Sequence, residues 1–150
     1  MQFFTDSCQQ LPAFKELQSC IRKNISPISL TGVAQIHKAQ ILLTLSQDAP
    51  ILAVMADDAA ARMICEDINF MADRRIAYPY PAKEMNFAEI TGISREYEQL
   101  RITALSAVLD GSCRVLVASA EAAMQYTIPK AVLAERTIHI RMGESYDQQM

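Results

Sequence analysis

Residues 28–39 read Ile-Ser-Leu-Thr-Gly-Val-Ala-Gln-Ile-His-Lys-Ala, and the reading of this run decides the fold. Laid on the phosphate-binding pattern G-x-x-x-x-G-K-[ST], Gly32 and Lys38 fall in register. His37 stands where the second glycine belongs and Ala39 where the hydroxyl belongs. The apolar Ile28–Leu30 leads in and a helical pattern from Ile36 follows, so the strand–loop–helix context of a phosphate loop is expected here. Its chemistry is not. A phosphate cradle needs the second glycine so that backbone N–H groups can close on the anion. It also needs a Ser or Thr hydroxyl on the magnesium ion. The run therefore reads as a vestigial phosphate loop built on Gly32, His37, Lys38 and Ala39, with an ordinary strand-to-helix turn as the plainer alternative.

Working outward, apolar strand-like runs alternate with amphipathic segments. Leu11, Phe14, Leu17 and Ile21 recur at helical spacing, with Pro12 in the first turn. The pattern then predicts a strand at Ile28–Leu30, a helix over Gln35–Gln47 and a strand at Ile51–Met55. Asp57 caps the next helix, whose apolar face holds Ala60, Met63, Ile64 and Ile68. A short strand at Ile76–Tyr78 and a loop over Tyr80–Ile93 follow. After them come a helix over Tyr97–Leu109 closed by Asp110-Gly111, a strand at Val115–Ala118, a helix over Ala120–Tyr126 and a last strand at Ile138–Ile140. This alternation predicts α/β architecture in three layers, with a mostly parallel sheet of about five strands. Ile28–Leu30, Ile51–Met55 and Val115–Ala118 are expected as buried inner strands, so that a charge at Val54 would cost several kcal/mol.

The chain has 150 residues, 51 % apolar and 21 % charged, within the range of one globular domain with a sizeable core. A net charge of −3 and a pI of about 5.4 argue against a dedicated nucleic-acid module. The four cysteines show no C-x-x-C spacing and only two histidines exist, so no metal site is expected. Cys20, Cys65 and Cys113 read as small buried hydrophobes. The first residues show no signal peptide, and no apolar run has membrane-spanning length. The expectation is a cytoplasmic chain with no membrane partner.

Other candidate chemistry has a structural reading beside it. The strand Ile51–Met55 followed by Asp57-Asp58 has the form of a Walker B strand, yet Asp57 as a helix cap and Asp58 as a complement to the dipole explain the pair more simply. Lys38 could touch a phosphate or stand solvated at a helix start. His37 lacks a recognisable nucleophile or carboxylate beside it. Tyr78-Pro79-Tyr80-Pro81, with Phe87 nearby, could stack bases, but without a basic groove it reads as an extended strand exit with packed tyrosines. No catalytic residue is assigned, and no cofactor is expected.

Several segments, taken in order, resemble the amino-terminal, UvrB-like part of the bacterial transcription-repair coupling factors. They are Ser29-Leu30-Thr31-Gly32 with the degraded loop, Ala49-Pro50-Ile51-Leu52-Ala53-Val54 leading into Asp58, and Glu66-Asp67-Ile68-Asn69-Phe70. Tyr78-Pro79, Arg101-Ile102-Thr103-Ala104-Leu105 and Val115-Leu116-Val117-Ala118-Ser119 follow. Glu121-Ala122-Ala123-Met124-Gln125, Pro129, Leu133 and the run Ile138–Gly143 complete the series. The likeness spans about Leu17 to Asp147. It implies a RecA-like half-domain with a degenerate Walker A loop that does not hydrolyse ATP. The chain would be a non-catalytic structural and interaction domain in DNA repair. The parent would be an ATP-dependent, helicase-related translocase that recruits excision-repair proteins to stalled RNA polymerase. Partners implied are other domains of the parent chain and, through the parent, UvrA, RNA polymerase and DNA. On this reading 1–150 is a single α/β domain, with an N-terminal helix in 1–25, a RecA-like core in 26–142 and a polar tail in 143–150 that marks a truncation edge. Self-association of the chain is expected to follow. The competing reading is a small P-loop nucleotide-binding enzyme with an aberrant loop.

Overall fold

Three short apolar runs form the sheet: Ile51–Met55 (β1), Ala77–Tyr80 (β2) and Val115–Ser119 (β3). They are seen in a computed structural model that describes residues 2–83, 95–138 and 142–143. All pairing is parallel in the order β1-β3-β2, with Ala53 and Tyr78 beside Val117 and Leu116 of the central strand. Helix α4 (Asp58–Ala72) connects β1 to β2 and helix α5 (Glu96–Asp110) precedes β3. Right-handed crossovers running in opposite directions place these two helices on opposite faces. Two separate cores reflect this. Ala53, Ala77, Val115 and Val117 pack with Ile64, Ile68 and Met71 of α4 and Leu43 of helix α3 (Gln35–Leu45), whereas Tyr78, Tyr80 and Ala118 pack with Ala104 and Ala107 of α5. The α/β class, the three layers and the parallel sheet agree with the sequence reading.

The strand count differs. Among the described residues three strands pair, fewer than the expected five. Ile28–Leu30 is not a strand: the run is three residues long, sits between Pro27 and Gly32, and turns Ile28 and Leu30 half toward solvent. Beyond Lys83 the expected loop Tyr80–Ile93 lies outside the described residues. So do the strand at Ile138–Ile140 beyond its first residue and nearly all of the tail 143–150. β1 is not an inner strand. It is an edge strand on which Leu52 and Val54 are 62 % and 52 % exposed. Only Ile51, Ala53 and Met55 face the α3–α4 layer, because side chains alternate across a strand.

Two helices stand where one was expected at the amino end: α1 (Gln2–Gln10) and α2 (Pro12–Arg22). Pro12 opens α2 at its first turn as anticipated, and the same ring forces Leu11 to an extended backbone (φ −68°, ψ 128°), which breaks the helix in two. Phe14 and Leu17 of α2 and Cys8 of α1 then pack on Ile41 and Leu45 of α3. On α4 the buried stripe is Ala61, Ile64, Cys65, Ile68, Met71 and Ala72, rotated from the expected one so that Met63 faces outward. Gly111 ends α5 at φ +81°, the left-handed conformation that a glycine adopts without strain. Two short helices, α6 (Ala120–Met124) and α7 (Lys130–Glu135), follow β3.

Candidate functional site

In an open parallel sheet, ligands sit where the carboxyl ends of the strands meet the loops that follow them. Three segments converge there: Ala56-Asp57-Asp58 after β1, Pro81-Ala82-Lys83 after β2 and Ser119 at the end of β3. Each polar group is already engaged. Asp57 is the N-cap of α4, and its Oδ1 accepts the Ala60 N–H at 2.7 Å. Both Asp58 carboxylate oxygens accept the Ala82 N–H at 3.3 Å. Buried Ser119 caps α6, accepting the Ala122 N–H at 3.2 Å. The Walker B resemblance of Asp57-Asp58 thus resolves into a helix cap plus a tether for the chain leaving β2.

The same crevice is stitched shut on its other side by Arg101 of α5. This arginine is only 5 % exposed. Its Nη1 donates to the Pro81 carbonyl at 2.6 Å and its Nη2 to the Tyr80 hydroxyl, while the guanidinium lies 4.0 Å over the Tyr80 ring. The Tyr80 hydroxyl donates in turn to Thr127 Oγ1 at 2.7 Å. Beside it the Lys83 N–H donates to Gln125 Oε1 at 2.7 Å, and Lys83 Nζ to the Tyr126 carbonyl at 3.2 Å. The segment after β2 is therefore bound to the segment after α6 by side chains. Tyr78 and Tyr80 are packed, as the plainer sequence reading expects, and not displayed for stacking.

The run from Gly32 to Ala39 has a distinct geometry. Gly32 takes φ +72°, a conformation that favours glycine, with open space where a Cβ would stand. Helix α3 begins at Gln35, earlier than the G-K-[ST] register requires. The N–H groups of His37 and Lys38 donate to the Ala34 carbonyl at 3.0 and 3.3 Å. In a working cradle the amides at these positions point at phosphate; here they are spent inside the helix. Ala39 is wholly buried in the α3–α4 core, where a hydroxyl would meet no solvent ion. His37 and Lys38 are exposed and lie beside different cavities. His37 borders one of about 280 Å³ with Cys8, Phe14, Leu17 and Ile41, and Lys38 one of about 250 Å³ with Leu30, Val33 and Met55. The four loop residues do not converge on one point.

Cys8, Cys65 and Cys113 are buried, and burial favours their protonated form. Burial pushes Cys65 up to about 12, with the neighbouring Cys113 adding to it, and pushes Cys113 up to about 11 against a partly offsetting Val115 N–H. Cys8 is also raised by burial, and it rather than Cys20 joins Cys65 and Cys113 in the interior. Such thiols are poor nucleophiles. Among the described residues no group of three His, Cys, Asp or Glu side chains is placed to hold a metal ion. His139 lies outside them.

Sequence reasoning gave no role to three residues that organise the sheet ends. Asn69 brackets the start of β2: its Oδ1 accepts the Ile76 and Ala77 N–H groups at 2.8 Å and its Nδ2 donates to the Ala77 carbonyl at 2.9 Å. Arg114 donates from Nε to the Ser46 carbonyl at 2.9 Å, joining β3 to the end of α3. Arg101 is the third. A lone arginine within the Leu100–Leu105 apolar pattern is the signal that could have marked it. Compared with known proteins, the chain matches no family model, no curated protein and no solved structure.

Proposed function

We propose that this chain is a non-catalytic structural and interaction domain, the first lobe of the UvrB-like module of a bacterial transcription-repair coupling factor. The three-stranded sheet is read as part of a RecA-like half-domain whose partners are other domains of the parent chain. UvrA, RNA polymerase and DNA would be reached through that parent, an ATP-dependent translocase of the cytoplasm. The register of α3 carries the non-catalytic reading, since the amides of His37 and Lys38 are spent on Ala34 and Ala39 belongs to the core. The ordered sequence likeness carries the family. Among the described residues no helix is long and apolar enough to cross a membrane.

Calorimetric titration with Mg-ATP is the test. The expected result is no binding heat, and none in a His37→Gly/Ala39→Ser variant either. There the glycine weakens the first turn of α3 by about 1 kcal/mol and the serine is buried away from any ion. Micromolar binding by the native chain would overturn the proposal in favour of the small nucleotide-binding enzyme. The family assignment has its own test in the reading frame beyond Met150: a helicase motor there supports it, and an immediate stop codon counts against it.

A further inference from the structure

The two edges of the sheet are treated differently. At the β2 edge, Ala77 turns its N–H and carbonyl outward, and Asn69 takes both. Two residues on, Pro79 has no N–H to offer, so that edge is closed to another strand. The β1 edge has neither device. The Ile51 N–H donates to Arg114 of the strand-β3 side, so Ile51, Ala53 and Met55 face β3 and the backbone groups of Leu52 and Val54 face outward. Among the described residues no other strand pairs with them. The sequence Ile-Leu-Ala-Val-Met has no charge, proline or glycine, and both outward-facing residues also expose their apolar side chains.

We propose that β1 pairs with β1 of a second copy of this chain, antiparallel, about a two-fold axis at Ala53. The register is self-complementary. With Ala53 opposite its twin, Leu52 stands opposite the partner copy's Val54 in a hydrogen-bonded pair, and the reverse pair is equivalent. All four outward N–H groups then meet outward carbonyls. The Leu and Val side chains of both copies lie together on the face toward α5, where β1 is uncovered. On the other face the Met55 of the second copy falls opposite Ile51. There a cavity of about 580 Å³, lined by Ile21, Leu45 and Ile51, opens beside the strand. A slip of one residue would turn the bonding groups away from each other. A slip of two would set Leu52 or Val54 opposite its own twin and meet fewer of the four N–H groups within the strand, so the register centred on Ala53 makes the most bonds. The two sheets become one of six strands. A five-residue strand buries less than the roughly 1,600 Å² of a standard interface, so association is weak and concentration-dependent. The proposal rests on the β1 edge and stands or falls independently of nucleotide binding.

Sedimentation velocity from micromolar to millimolar concentration reads the outcome. The native chain is expected to shift from monomer to dimer, and Val54→Lys, at a half-exposed site, to stay monomeric with an unchanged melting temperature. The register is read by cysteine cross-linking with oxidised glutathione, the bond located by peptide mapping. Ala53→Cys sets two Cα atoms about 4.5 Å apart across the axis, within disulfide reach, whereas Leu52→Cys sets its pair beyond about 7 Å. Cross-linking of Ala53→Cys and not of Leu52→Cys is expected. A native chain that remains monomeric at millimolar concentration would overturn the proposal. Dimers that survive Val54→Lys, or that cross-link through position 52 instead of 53, would do so equally.

Discussion

Arg101 concentrates the physical argument at the scale of one residue. Burying a guanidinium is costly unless its donors are met, and here they meet the Pro81 carbonyl, the Tyr80 hydroxyl and the Tyr80 ring face. Arg101→Met keeps much of the volume but leaves the Pro81 carbonyl without its donor. The expected cost is about 1–3 kcal/mol in urea unfolding, with faster amide exchange at Ala82 and Lys83. Arg101→Lys should not restore the native value, because an ammonium lacks the planar fork that serves two acceptors and a ring at once. An unchanged midpoint in both variants would remove the anchoring role. Asp57 is the opposite case, a residue whose part was plain from its place before an apolar helical run. Arg101 was illegible because its partners come from 20 residues upstream and beyond, a tertiary fact that no local pattern carries.

At the scale of elements, the sequence marked helices well wherever period and punctuation agreed. Pro12 at the start of α2, Asp57 before α4 and Gly111 after α5 all lie where local chemistry puts them. Strands were legible by composition but not by position in the sheet. Ile51–Met55 and Val115–Ala118 are both continuous apolar runs, yet one is an edge and the other the centre, since such a run does not say how many of its faces a helix covers. Ile28–Leu30 failed for a related reason: three apolar residues without a pairing partner remain irregular. The distinction between β1 and β3 has a measurable consequence. Val54→Asp places its carboxylate at a half-exposed site and is expected to cost about 1 kcal/mol or less. Val117→Asp, fully buried against the α3–α4 layer, should cost about 3–5 kcal/mol. Chemical denaturation at micromolar concentration compares them directly. Equal costs would contradict the edge assignment of β1.

For the whole molecule, the sequence disclosed the layered α/β plan because burial on two faces writes itself into apolar runs. It did not disclose that the phosphate-loop positions would be absorbed into α3, since helix start depends on which carbonyl, here Ala34, captures the first amides. Global stability carries its own signature in the thiols. Cys65 and Cys113 are raised by burial from the ordinary 9.0 to about 12 and about 11. Below pH 9 both thiols are protonated in the folded and unfolded chains alike, and they leave stability independent of pH. Above it the unfolded chain releases these protons first, so it binds fewer protons than the folded chain and stability falls as pH rises. Each thiol contributes a slope of at most about 1.4 kcal/mol per pH unit, acting to about pH 11 for Cys113 and about pH 12 for Cys65. Urea midpoints taken from pH 8 to pH 11 are expected to drop more steeply for the native chain than for Cys65→Ala/Cys113→Ala. The double variant starts lower because it loses packing, so the slope and not the starting value is the readout. Parallel curves would mean that the two thiols ionise as freely in the folded chain as in the unfolded one, and that the cores on both faces of the sheet, Cys65 on the α4 side and Cys113 on the α5 side, admit water.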